Sequence, residues 1–324
     1  MLYPITFRPI FKERIWGGRN LERLYGKALP AGIPVGESWE ITDRPEGVSE
    51  ILNGPLAGRT LRWLMENHAA DLLGSARPAA AGRFPLLVKI LDAQDVLSLQ
   101  VHPPAALAAG LGGEPKTEMW YVADATAEAS VFVGLRRGVT RVEFERRIRD
   151  GTVAQCFHRH SVRPGDAMFL PSGRVHALGA GSVIFEIQQN SDTTYRVFDW
   201  NRTGPDGRPR DLHIDAALAS IDFADFEPPL IANGLAADPA ARSATLVSDP
   251  LFEVVLRRES AGWHGQRPQP GLIILAVLNG GLVVEGGGQT VNLRPGQFCL
   301  LPDALASVQL RAEFATEFLQ VRPG

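Results

Sequence analysis

The chain has 324 residues, 45% of them hydrophobic and 21% charged, enough for two cores in a globular protein. Its formal charge is −3, with 33 Lys and Arg scattered among 36 Asp and Glu, so it offers no basic surface for nucleic acid or an anionic membrane and the expected partner is a small molecule. No window reaches the length of a membrane span, and Pro4, Arg8, Pro9 and Lys12 interrupt the first residues before a signal peptide could form, so a cytoplasmic protein is expected.

Glycine (33) and proline (24) punctuate short runs of Val, Ile, Leu and Phe, the pattern of an all-β sandwich or barrel with a few short helices. In chain order, "GESWEITDRPEG" (36–47) and "NGPLAGRTL" (53–61) read as edge strands and turns, with no role assigned to Glu37 or Trp39. "TLRWLMENHAADLLG" (60–74) places Leu61, Leu64, Met65, His68 and Leu72 at helical spacing and predicts one amphipathic helix stopping at Gly74. Strands are expected at 84–91, 97–103, 118–124, 130–135, 167–171 and 182–189, then at 252–258, 272–278, 281–286 and 298–302. Two further helices fall at 140–151, with Thr140 and Glu143 as a capping box, and at 211–221. His68 and His213 on these helices read as surface or partly packed side chains, and Cys156 and Cys299, without a CxxC spacing, as buried thiols in strand-like settings.

One unit recurs. "VRPGDAMFLPSGRVHAL" (162–178) returns 131 residues later as "LRPGQFCLLPDALASVQL" (293–310), with Arg-Pro-Gly, the apolar run and Leu-Pro in register. Two similar β-domains in tandem follow, a catalytic one at 1–230 and a degenerate one at 231–324, divided within the Pro- and Ala-rich stretch at 225–245. His176 of the first copy falls on Ser307 of the second, which has kept the scaffold and lost the ligand.

The first copy carries the chemistry. Gly165 turns the chain into a strand, Pro171 and Gly173 reverse it, and His176 opens the return. This spacing resembles the second motif of the cupin superfamily, whose members bind a metal inside a jelly-roll barrel through that histidine. Partners are available: Gln100 and His102 lie two apart on one strand face, and Glu118 opens "EMWYVAD". Two imidazoles, a carboxylate and a neutral amide suit zinc or another divalent first-row ion.

The usual first cupin motif, His-x-His with an acid close behind, is altered, because Gln100 replaces the first histidine and Glu118 comes 16 residues after His102. With "LSLQVHP", "KTEMWYV", "PSGRVHALGAG" and "EIQQNSDTTYRVFDW", together with "FRPIFKERIWGG" and "NGPLAGRTL", the first 215 residues resemble the type I phosphomannose isomerases in their short bacterial form. That resemblance implies two tandem cupin barrels, the second degenerate, and zinc held by Gln100, His102, Glu118 and His176. It implies interconversion of mannose 6-phosphate and fructose 6-phosphate through a cis-enediol, without a redox cofactor. It places Ser98 and Lys116 at the phosphate, and Arg196 at the phosphate or the developing negative charge.

By strand parity Glu186 faces a cavity while Phe185 and Ile187 face the other way, so Glu186 is the expected general base; Asp192, Lys116 and a metal-bound water are the alternatives, Asp192 otherwise serving substrate binding. Glu186 could instead hold Arg196 or a ligand histidine in place. The competing functions are an iron dioxygenase, against which Lys116 and Arg196 favour a phosphorylated substrate, and a non-catalytic sugar-binding cupin, against which the complete ligand set argues. Monomer and homodimer both remain open.

Overall fold

β-Branched and aromatic side chains pack well on a pleated surface, and all ten expected runs form strands in the computed structural model, which describes residues 1–203, 207–232, 234–238, 240–267 and 270–324. Asn233 and Pro239, inside the expected boundary stretch, lie outside the described residues.

Apart from the short pairing of Asp43–Arg44 with Gly47–Val48, the strands make two pairs of antiparallel sheets. The first pair is a six-stranded sheet, in the order Ile10–Gly18, Val35–Ile41, Leu86–Ala93, Ser182–Gln189, Glu118–Ala125, Ala167–Leu170, and a five-stranded sheet, in the order Tyr195–Phe198, Leu99–Val101, His176–Leu178, Ser130–Leu135, Phe157–Ser161. The second pair orders Ser243–Ser248, Phe252–Glu259, Thr316–Pro323, Ile273–Asn279, Phe298–Leu301 and, in the other sheet, Trp263–Gln266, Val308–Ala312, Leu282–Gly286, Gln289–Leu293. Apart from the outer strands Ile10–Gly18 and Tyr195–Phe198, which have no counterpart, the second pair repeats the strand orders of the first, and the sequence repeat falls on matching elements: Gly165 (φ +93°) and Gly296 (φ +75°) turn into Ala167–Leu170 and Phe298–Leu301. Both positions adopt the left-handed region that glycine enters without a Cβ penalty.

Side-chain alternation explains how the sheets stack. Trp120, Val122 and Ile184 of the six-stranded sheet join Val131, Val133 and Leu178 of its partner in one core. The opposite-parity residues Met119, Tyr121, Phe185 and Ile187 pack instead with Phe252, Ile274, Leu300 and Leu319 of the second pair. The six-stranded sheet is therefore covered on both faces, which is why Val35–Ile41, Leu86–Ala93 and most of Ser182–Gln189 are buried throughout.

Four expectations are corrected by the structure. The segment at 36–41 is no edge strand: it lies between Ile10–Gly18 and Leu86–Ala93, a placement set by long-range pairing. The single helix at 60–74 is two, Leu61–Asn67 and Ala69–Leu73, because His68 leaves helical geometry (φ −140°, ψ 26°) with its ring against Trp63. The other helices appear at Arg141–Arg149 and Ile214–Ser220. Thr140 Oγ1 accepts from the Glu143 N–H, but the Glu143 carboxylate pairs with Arg147 rather than reaching back to complete the box. Both cysteines are buried; Cys299 is in a strand, whereas Cys156 ends a 3-10 turn. Among the described residues no helix is long and apolar enough to cross a membrane.

Phe185 and Phe298 stack with ring centroids 5.5 Å apart where the two large sheets meet. Phe185→Ala should cost about 3–5 kcal/mol of unfolding free energy, measured by denaturant titration, while leaving metal content intact because the ring faces away from the site.

Candidate metal centre and cleft

The two sheets of the first pair contribute different groups to the gap between them. From the five-stranded sheet come Gln100, His102 just beyond the end of its strand, and His176 at the start of the return; from the six-stranded sheet comes Glu118. Gln100 and His176 are register partners. Gly173, at φ +96°, donates its N–H to the His102 carbonyl at 2.9 Å, so the Pro171–Gly173 reversal fixes one ligand while leading the chain to another.

Ligand atoms of His102, Glu118 and His176 lie within 4.8 Å of one another, all three residues buried. His102 Nε2 is 3.5 Å from Glu118 Oε2, and His176 Nε2 is 3.3 Å from Glu118 Oε1. His102 Nδ1 meets the Thr193 carbonyl at 2.8 Å and His176 Nδ1 the Arg174 carbonyl at 2.9 Å. A carbonyl only accepts, so each Nδ1 carries the proton and each Nε2 turns a lone pair inward. Burial, and then the Lys116 charge, hold His102 neutral with a pKa near 3; burial also lowers His176 despite the Glu118 charge. Burial would raise Glu118, but Lys116, 3.1 Å away, and the two histidines hold it well below the usual range.

Two lone pairs and a carboxylate thus confront one another. His102 Nε2 and both Glu118 oxygens are buried without a hydrogen-bond partner. Such groups are costly unless something satisfies them, and a divalent cation satisfies all of them at once. The Gln100 side chain, 3.2 Å from His176 Nε2, adds a neutral amide to the set. The residues present fit a metal ion of the N/O-binding type.

Above this cluster opens a cleft of about 1080 Å³, large enough for a phosphosugar. Ser98, Gln100, Lys116, Glu186, Asp192 and Arg196 all line it, so every candidate site residue named from the sequence falls either in the buried cluster or on the cleft wall. Arg196 Nε meets Ser98 Oγ at 3.3 Å and its Nη1 donates to the Asp211 carbonyl at 2.8 Å. Lys116 precedes its strand rather than lying in it, and points its ammonium at the metal cluster.

Sequence reasoning missed part of the wall. Glu37, left without a role, lies on the cleft and bonds Arg14 at 2.6 Å and the Trp39 indole N–H at 2.7 Å. Lys89 bridges Glu37 (3.6 Å) and Glu186 (3.3 Å), and the Trp120 indole donates to Glu186 at 2.9 Å. A lone lysine in the apolar run "FPLLVKIL" was the available signal. His213, expected as an ordinary helix histidine, caps Ile214–Ser220 and lines the cleft, its Nδ1 accepting from the Arg196 N–H at 3.3 Å.

In the second sheet pair the place of Glu118 is apolar. Glu118 pairs with Leu170 as Ile273 pairs with Leu301, and Ile273 is buried among Leu275, Cys299 and Leu310.

Three comparisons bear on the chain. A family model described as "Phosphomannose isomerase type I, catalytic domain" matches residues 5–124. The mannose-6-phosphate isomerase of Streptococcus mutans is 36% identical over 316 residues, covering 95% of each chain, and a probable mannose-6-phosphate isomerase of Bacillus subtilis is 41% identical over 223 residues, 68% of this chain and 69% of the relative. The crystal structure of the mannose 6-phosphate isomerase from Bacillus subtilis superposes with a TM-score of 0.84 at 29% identity, over 99% of this chain and 100% of that one.

The buried neutral histidines make a pH prediction for the metal-free protein. Both imidazoles have pKa values lowered by folding, so each takes up a proton on unfolding, and their contribution is present above about pH 6.5 and lost as pH falls below it. Denaturant titrations of chelator-treated protein should show stability dropping as pH falls below about 6.5. His102→Asn should flatten that slope.

Proposed function

Because the chain belongs to the type I phosphomannose isomerases, we propose that this cleft is where it interconverts mannose 6-phosphate and fructose 6-phosphate through a cis-enediol. The observation that carries the reading is the buried His102, Glu118 and His176 cluster, with His102 Nε2 and both Glu118 oxygens unsatisfied, below a cleft lined by Lys116 and Arg196.

Gln100, His102, Glu118 and His176 would hold the metal, and zinc suits their mixed nitrogen and oxygen set. Bound there, the ion would polarise the sugar's carbonyl and hydroxyl oxygens and stabilise negative charge on them. Lys116, beside Glu118, supplies positive charge at the same end of the cleft and reaches substrate there. Ser98 and Arg196, joined to each other, hold the phosphate at the other side, where a guanidinium can make paired bonds to a dianion. Asp192 accepts from sugar hydroxyls.

The proton carrier is Glu186. Two carboxylates flank one lysine, and their surroundings drive them apart: burial would raise Glu37, but Lys89 and Arg14 hold it down at about 2, whereas burial and the neighbouring Glu118 charge raise Glu186. Separation of this kind marks Glu186, the carboxyl driven upward, as the group suited to take and return a proton. Glu186 takes the proton from C2 while the C2–H electron pair becomes the C1–C2 double bond and the C1 carbonyl oxygen gains a proton. Return of the proton to C1, with loss of the proton on the C2 oxygen, gives the ketose.

Residues 1–230 then form the catalytic cupin-type unit and 231–324 a degenerate copy that backs the six-stranded sheet, in a cytoplasmic enzyme. The matched strand orders support that division.

The test is conversion of mannose 6-phosphate to fructose 6-phosphate before and after chelation, with zinc added back. Activity lost with chelator and restored by zinc supports the reading; an inactive zinc-loaded protein that consumes oxygen once given iron would favour a dioxygenase. In the active enzyme, Glu186→Gln should lower kcat by about 100-fold or more, Lys116→Ala, at the reacting end, should lower kcat, and Arg196→Ala, at the phosphate, should mainly raise KM.

A further inference from the structure

The cleft floor carries a row of charges of which the reaction as written uses only Glu186. On four neighbouring strands stand Arg14, Glu37, Lys89 and Glu186, alternating in sign, with side-chain gaps of 2.6, 3.6 and 3.3 Å between successive members. Glu37, Lys89 and Glu186 are buried. Each carboxylate also receives one indole N–H, Glu37 from Trp39 and Glu186 from Trp120. Lys89 and Glu186 are register partners, and Glu186 pairs on its other side with Trp120, so both contacts to the Glu186 carboxyl come from the strands flanking it.

A buried ammonium is costly, and a simple core would use a leucine at position 89. The second sheet pair does so in kind: Val255 occupies the place of Lys89, opposite Gln320 in the place of Glu186. The charge row belongs to the sheet pair that carries the metal ligands.

We propose that Lys89, clamped between Glu37 and Glu186, is a positioning residue for proton transfer, holding the Glu186 carboxylate in one orientation at the cleft so that the same group can remove a proton from C2 and deliver it to C1. Glu37 is its anchor, and Arg14 with Trp39 is the anchor of Glu37. A carboxylate that serves two adjacent carbons has to stay in place between the two steps, and misplacement of about 1 Å costs rate steeply. One ammonium and one indole fix Glu186 from two sides and leave its remaining lone pairs for substrate. The groups facing it are Lys89 on one flanking strand, Trp120 and Glu118 on the other, and Lys116 ahead of that strand, with Asp192 near Lys89. This inference rests on Glu186 being the proton carrier.

The experiment is a double-mutant cycle on the full-length, zinc-loaded enzyme, with metal content measured for each variant. Lys89→Met keeps the length and removes the charge. It should lower kcat about tenfold or more with KM within about twofold and zinc still bound, and Glu37→Gln should lower kcat less. In a Glu186→Gln background Lys89→Met should change the residual rate by less than about twofold, because its effect passes through that carboxylate. Equal penalties in both backgrounds, a loss confined to KM, or loss of zinc together with activity would each overturn the proposal. If Lys89→Met does not fold, the same cycle with the isosteric Glu37→Gln decides, and a wild-type kcat in that variant overturns it. A Glu186→Gln enzyme with wild-type kcat would instead remove the proton-carrier assignment, whereas an inactive Glu186→Gln beside an unaffected Lys89→Met would remove the positioning role alone.

Discussion

A carboxylate enclosed between two sheets has to be met by positive charge, and most of the functional region follows from that requirement at Glu118. Its two oxygens are buried and accept no hydrogen bond, so they are stabilised only by the Lys116 ammonium and by whatever cation sits between them and the two inward-facing imidazoles. The carbonyls of Thr193 and Arg174 set the imidazoles by taking their Nδ1 protons. The loops that supply these carbonyls also supply Asp192 and the reversal at Gly173, so the substrate-facing wall and the ligand set are built by the same turns.

The six-stranded sheet can carry this chemistry because it is supported from behind. Its outer face packs on the second sheet pair through Phe185, Ile187 and Tyr121, which leaves the alternate residues Lys89, Glu186 and Trp120 free to form a charged and hydrogen-bonded inner face. A strand with one apolar neighbour sheet and one functional gap needs this strict alternation. In the second pair Ile273 stands where Glu118 does, and its core is filled largely with aliphatic side chains. That pair supplies the apolar surface on which the six-stranded sheet rests.

Local pattern made some elements readable and left others hidden. Runs such as "SVIFEIQQ" and "SVFVGL" stand out because their apolar residues are contiguous and bounded by turn residues, and the Gly165 to His176 spacing exposes the reversal that sets a ligand in place. Val35–Ile41 was read as an edge because polar Glu37, Ser38 and Glu40 lower its apolar content; in the fold Glu37 is neutralised by Arg14 and Lys89, and Glu40 by Lys27 at 2.7 Å. Such pairing is invisible locally, since Lys27 and Lys89 are distant in sequence. The break at His68 was equally hidden, because helical periodicity continues through it while the ring turns onto Trp63.

The residue sequence by itself determined the β-rich class and the tandem repeat, and short-range spacing brought Gln100, His102 and His176 into view, because alternate positions on one strand and a turn of fixed length before a histidine are local; Ser98, Lys116 and Arg196 were reached only through the family resemblance. Only the tertiary structure decided that Arg14, Glu37, Lys89 and Glu186 form one row, and that Lys116 faces the ligand cluster. Those relations depend on which strands become neighbours, and strand order is set by the burial of whole sheet faces rather than by any local run of residues.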